Sequence, residues 1–296
     1  MCTGVTHRVR ESKRLNLFRR GTLELQHFFF CPNHASNPAA RCYTEQRVPV
    51  VTSMSRLHLS VIIPAYNEES RLPETLRHVL SYLSTQSYRS EVLVVDDGSV
   101  DRTAEAVRQC SGGETCLRLE HHRDHANHGK GASVKLGMLA AAGEFRLFMD
   151  ADNSTTVDQI ESFWPRFDEG CDVVVGSRAV AGALVPVRQP KHREMAGRFG
   201  NWIIRACAVP GILDTQVGFK MFTGSGAETV FPRVTIERWG FDIEVLAIAR
   251  LHGLRISEMP IRWCNVPGSK VGMSSYLEVL WEVWRIRRNL RAGLYR

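Results

Sequence analysis

From Leu59 onward the chain alternates short, wholly apolar runs with longer segments of mixed polarity. Ser60-Val61-Ile62-Ile63-Pro64 and Val92-Leu93-Val94-Val95 lack any in/out alternation, which predicts strands buried on both faces. Residues 69–83 between them read as a helix, and this strand-helix-strand order predicts a parallel sheet with covering helices. Further on, residues 101–110, 129–142, 193–208 and 241–251 read as helices, and 117–119, 145–149, 173–176, 214–222 and 256–259 as strands. No internal repeat interrupts the series. The expectation is an α/β fold: one Rossmann-like domain over residues 54–272, with a mainly parallel central sheet flanked by helices.

The two ends differ from this body. Residues 1–53 hold neither the 3.6 nor the 2 period and mix Arg, His, Pro and Asn, so they read as a disordered basic extension, or as sequence upstream of the true start if that is Met54. Residues 273–296 read as a C-terminal basic amphipathic helix, in which Leu277, Leu280, Trp281, Trp284 and Ile286 are followed closely by Arg287, Arg288 and Arg291, with Arg285 among them. Such a helix can lie in an anionic membrane interface, or pack on the body with its arginines at the negative end of its dipole.

Composition narrows the class. The chain has 296 residues, 44% of them hydrophobic, enough for a sizeable core. Of the net charge of +7, residues 1–53 supply five, with eight Lys or Arg against three Glu. The body is thus nearly neutral, and no nucleic-acid groove is expected. The eight cysteines form no CxxC pair or tight framework, which fits reduced thiols in a cytosolic protein. No run approaches 18 apolar residues, so the body is expected to be cytoplasmic and soluble or peripheral on a membrane.

The candidate chemistry sits where the strands end. Asp150-Ala151-Asp152 closes the apolar run 145–149, so it would present hard oxygen ligands for a divalent cation at the rim of the sheet; alone it also fits a solvated turn. Pro64-Ala65-Tyr66-Asn67-Glu68 and Asp96-Asp97-Gly98-Ser99 end the first two strands, where acidic groups can accept hydrogen bonds from a base and ribose, or simply cap the next helix. Asn127-His128-Gly129-Lys130-Gly131 opens a helix and offers N–H groups and a lysine to phosphate, without the Walker spacing. His121, His122, His125 and His128 lie nearby, but no cysteine joins them at zinc-site spacing.

Taken together these motifs resemble family-2 glycosyltransferases of the GT-A fold, in the family's order and spacing. The second half, with Val175-Gly176-Ser177-Arg178, Asp214-Thr215-Gln216-Val217-Gly218, Arg238-Trp239-Gly240-Phe241-Asp242 and Trp263 through Lys270, is similar to the dolichyl-phosphate β-glucosyltransferases and related polyprenyl-phosphate enzymes. The resemblance spans roughly residues 57–291. It implies that Pro64, Tyr66, Glu68, Asp97 and Lys130 bind the nucleotide donor and that Asp150 and Asp152 hold Mg²⁺ or Mn²⁺ against its diphosphate. It places Arg178 near a donor or acceptor phosphate, Arg193 and Asn201 on the acceptor side, and Asp214 and Gln216 toward the sugar. Val217 stands where the family often has Cys or Ser.

The reaction so implied is inverting transfer of glucose from UDP-glucose to a dolichyl or polyprenyl phosphate at the cytosolic membrane face. Transfer of mannose from GDP-mannose, or transfer to a glycan hydroxyl, are the enzyme alternatives. The second would need a general base, for which Asp214 is the candidate. A phosphate acceptor, with a second pKa near 6, needs cations more than a base, and Arg188, Lys191, His192, Arg193 and Arg198 either meet that need or form a solvated face. A basic nucleic-acid binder is the non-enzyme alternative.

Overall fold

The computed structural model describes residues 56–110, 113, 115–186, 204, 208–266 and 273–296, the stretch 273–277 as backbone only. They belong to one compact unit, Val51–Arg296. Seven strands form one sheet in the order β3-β2-β1-β4-β6-β5-β7: β1 (Leu59–Ala65), β2 (Ser90–Asp96), β3 (Cys116–His121), β4 (Phe145–Met149), β5 (Val173–Ser177), β6 (Phe219–Thr223) and β7 (Ile256–Pro260). All adjacent pairs are parallel except those of β6, which runs antiparallel to both β4 and β5.

The expected central strands are present, and their burial explains the unbroken apolar runs. Successive side chains point to opposite faces, so Ile62, Leu93, Val95, Phe148 and Val175 enter one core layer while Val61, Ile63, Val92, Val94 and Met149 enter the other. Pro64 lies beyond the last β1–β4 pair, Ile62 with Phe148, so its missing N–H interrupts no pairing with β4. Helix α1 (Leu72–Ser84) covers the second layer through Leu72, Leu76, Val79 and Leu83, spaced by three and four residues, with proline in its first turn.

Helices α2 (Thr103–Gln109), α3 (Lys130–Ala140), α4 (Trp164–Asp168), α5 (Gly224–Val230), α6 (Phe241–Leu251) and α7 (Met273–Ala292) complete the described elements, with 3-10 turns at Val157–Ser162 and Phe231–Arg233. Two sequence expectations change. The strand expected over 214–222 is confined to 219–223, because Asp214 to Gly218 form an irregular segment held by side-chain and backbone bonds. The helix expected over 193–208 falls almost wholly outside the described residues. Helix α6 is buried on all sides from Phe241 to Ala249. Val283, Ile286 and Tyr295 join α6 in the core, so the C-terminal segment is packed into the body.

Candidate active site

Strand direction brings the candidate residues together. β1, β2, β4 and β5 finish at one edge of the sheet, and antiparallel β6 begins there, with Phe219 opposite Met149 and Lys220 opposite Val175. Asp150, Arg178 and the 214–218 segment therefore meet at the carboxyl edge, the ligand-binding side of open α/β sheets.

Asp150 is anchored by its N–H, which donates to the Gly218 carbonyl (3.1 Å), while its carboxylate lies against the Gly218 Cα. Lys130 Nζ stands 2.5 Å from Asp150 Oδ1 and 5.9 Å from the Phe241 ring centroid. Burial opposes the charge of Lys130, but Asp150 and then Asp242 outweigh it and raise its pKa. Asp152 Oδ1 accepts the Ser154 N–H (3.0 Å), and the intervening Ala151 carbonyl accepts from Thr75 Oγ1 (2.7 Å). Burial, then the neighbouring charge of Asp150, pushes the Asp152 carboxyl above its ordinary range. Arg71 faces both carboxylates electrostatically. It is held by Glu68 through two bonds of 2.7 and 2.6 Å, so Glu68 orients a cation toward the acidic pair.

Asp97 is turned inward. Its carboxylate accepts the His128 and Gly129 N–H groups (2.9 and 2.8 Å) and Asn127 Nδ2 (3.0 Å), and it is 3% exposed. Its observed contacts thus shape the loop that delivers Lys130. Gly98 (φ +73°) lets that loop pass, because a Cβ there would stand 2.6 Å from the His125 carbonyl oxygen. Tyr66 and Gln216 are exposed at the same edge and Pro64 is half-buried. His121, His122 and His128 lie beside Asp96, Asp97 and Asp124.

The Asp214 carboxylate is clasped by Arg178. It accepts the Arg178 backbone N–H (2.9 Å), Nε (2.8 Å) and a terminal guanidinium nitrogen (3.0 Å). Burial alone would raise Asp214, but Arg178 outweighs it and holds the carboxyl below its usual range. The guanidinium also lies 5.1 Å from the Trp263 ring. Glu258 on β7 accepts the Leu213 and Asp214 N–H groups (2.7 and 3.0 Å), fixing the backbone behind the pair. In this arrangement Asp214 is engaged as the partner of Arg178 rather than standing free as a base. Arg193 and Asn201 lie outside the described residues.

Two buried charges under the site had no role in the sequence reading. Lys220 Nζ donates to Asp242 and to the Val217 carbonyl (2.5 Å), and both ionic side chains are buried. Lys220 also lies 5.3 Å from the Phe148 ring. Burial pushes Lys220 down and Asp242 up. Asp242 acts on both lysines, so Asp150, Lys130, Asp242 and Lys220 form a row of alternating charge. The signals available were a lysine inside the mostly apolar β6 and an aspartate in the first turn of α6, which also carries Glu244 and Arg250.

The acidic pair fits a small divalent cation shared with a substrate diphosphate. It offers two hard carboxylates two residues apart, one raised by burial and then by the other's charge, and the described residues contain no cluster of three or more ligating side chains to close the coordination shell. Mg²⁺ and similar ions are commonly held by one or two carboxylates plus phosphate oxygens.

This sheet, with its acidic pair at the carboxyl edge, has the fold of the GT-A glycosyltransferases. Glucosyl-3-phosphoglycerate synthase from Mycobacterium tuberculosis, crystallised with Mn²⁺, UDP-glucose and phosphoglyceric acid, superposes with a TM-score of 0.56 at 17% identity, over 80% of each chain. Residues 60–223 match the family described as Glycosyl transferase family 2, and the chain belongs to it. It is 34% identical over 257 residues to a dolichyl-phosphate beta-glucosyltransferase of Trichomonas vaginalis, covering 83% of this chain and 76% of that one. It is 32% identical over 270 residues to the dolichyl-phosphate beta-glucosyltransferase of Homo sapiens, covering 85% and 82%.

Proposed function

We propose that this enzyme transfers glucose from UDP-glucose to dolichyl phosphate or a related polyprenyl phosphate, with inversion, at the cytosolic face of a membrane. The observation that carries the reading is the pairing of Asp214 with Arg178 beside the acidic pair. It engages Asp214 with an arginine instead of leaving it free as a base at the carboxyl edge, which favours an acceptor that needs no proton removed. An acceptor phosphate oxygen is already anionic near neutral pH and attacks the anomeric carbon as the bond from that carbon to the UDP oxygen breaks. No proton need be removed. The relatives named above support both donor sugar and acceptor.

In this scheme Asp150 and Asp152 would hold Mg²⁺ or Mn²⁺, which when bound offsets negative charge developing on the departing UDP. Lys130 adds fixed positive charge beside that group, and the Asp97-built loop sets its position. Tyr66 and Pro64 border the base, with Gln216 on the sugar side. Arg178, held by Asp214, is assigned to a phosphate, and Arg193 and Asn201 to the acceptor side, by resemblance alone.

The test is a transfer assay with purified protein, Mg²⁺ or Mn²⁺, a panel of nucleotide sugars and a short-chain polyprenyl phosphate. Lipid-linked glucose from UDP-glucose is the expected product. Exclusive use of GDP-mannose, or of a saccharide hydroxyl, would overturn the donor or acceptor assignment respectively. Full activity in excess chelator would overturn the metal assignment.

A further inference from the structure

Helix α7 sorts its residues into two faces. Glu282, Val283, Ile286 and Asn289 are buried against the body. On the other side Trp281 and Trp284 are 57% and 56% exposed, and Leu280, Arg287, Arg288 and Arg291 are exposed with them. At 3.6 residues per turn, these six outward side chains fall within one arc about 120° wide. That arc contains no acidic residue. The Arg285 guanidinium lies 5.8 Å from the Trp281 ring and that of Arg288 lies 5.4 Å from Trp284, so each exposed indole has a cation beside it.

Each feature alone is ordinary, since a helix end favours arginines and single exposed apolar residues are common. Together they match an interface between acyl chains and anionic headgroups, where tryptophans sit at the boundary and arginines meet phosphates. A second copy of the chain is a poorer occupant: the arc carries arginines and no acidic residue, so a copy of it offers no complementary charge. No described helix is long and apolar enough to cross a membrane. We propose that the outer face of α7 is a docking surface for an anionic phospholipid bilayer.

The surface is joined to the donor loop. The Gly240 N–H donates to Glu282 (2.7 Å), and Arg285 donates to the Thr235 carbonyl (3.0 Å). The same segment supplies the Glu237 carbonyl that accepts from the Ala132 N–H (3.0 Å) and the Phe241 ring beside Lys130. A surface docked through α7 is thus linked by two hydrogen bonds to the segment that packs on the loop carrying Lys130. That link bears on the proposed lipid acceptor; the surface itself does not depend on it.

The experiment is flotation of the full chain with phosphatidylcholine vesicles, alone or with roughly a third phosphatidylserine, and with no polyprenyl phosphate present. A missing glycosyl transfer activity therefore cannot alter the readout. The protein should float with the anionic vesicles only, and less so as salt rises. Trp281→Ser with Trp284→Ser, or Arg287→Glu with Arg288→Glu, should each lower partitioning by about tenfold or more while the melting temperature shows that the fold persists. Failure of the parent to float overturns the proposal. So does binding that survives both variants, which would assign it to another part of the chain. A concentration-dependent dimer abolished by the tryptophan variant would assign the face to a second copy and overturn it equally.

Discussion

A methyl group at Gly218 would stand 2.3 Å from both carboxylate oxygens of Asp150. Gly218→Ala should therefore move Asp150 while leaving the apolar core intact. Displacement of about 1 Å at such a centre costs on the order of a hundredfold in rate. The expected result is a large fall in kcat with a shift of only a few degrees in melting temperature, checked by sugar-transfer kinetics beside calorimetry. At Asp214 the balance is reversed, because this carboxylate satisfies an arginine. Asp214→Asn should destabilise the fold by about 2 kcal/mol, measured by denaturant unfolding, since a charged hydrogen-bonded pair is broken. The pH sign follows from its lowered native pKa. Its stabilisation is present above the ordinary carboxylate range and is lost as pH falls through the native value. The sequence made Asp150 and Asp152 legible because a strand end announces its own loop. The clasp of Asp214 was not legible, since Arg178 reaches it only through the placement of β5.

Glu282 couples one element to another. Burial, despite the Gly240 N–H, pushes its carboxyl up to about 7, with Glu278 and Glu244 adding to the rise and Arg285 opposing it. The folded state thus holds the proton more tightly than the unfolded chain does. Its contribution is complete at pH below the unfolded value and is lost as pH rises through about 7. Glu282→Gln, which keeps an acceptor for Gly240, should remove this dependence and stabilise the protein at pH 8 by on the order of 2 kcal/mol. Melting curves at pH 5 and 8 for both proteins check it. Lys220→Met tests the other buried coupling: it leaves Asp242 buried without its partner and should cost roughly 3–5 kcal/mol in equilibrium unfolding. At this scale the apolar runs revealed β1, β2, β4 and β5. β6 was placed too broadly, because hydrophobicity does not distinguish a paired strand from a buried irregular segment such as Val217 and Gly218. Its reversed direction is a property of the assembled sheet and leaves no local period.

For the whole molecule, ligand and metal should act together. UDP with Mn²⁺ at a hundred times its dissociation constant should stabilise the native state by about 2.7 kcal/mol. Excess chelator or Asp150→Asn should abolish most of that thermal shift; a shift by UDP unchanged in chelator would separate nucleotide binding from the acidic pair. The order of strands has a consequence for synthesis as well. Among the described strands β5 pairs only with β6 and β7, both made after it, and β6 must enter between β4 and β5. A nascent chain that has reached Ser177 can pair its first four strands but leaves β4 with an open edge and β5 without its native neighbours. Long-range pairing of this kind is slow and exposes apolar edges to other chains. Insertion of β6 closes that edge and in the same event sets Gly218 under Asp150. The nascent polypeptide therefore stays most prone to aggregation until the moment the edge around Asp150 takes shape.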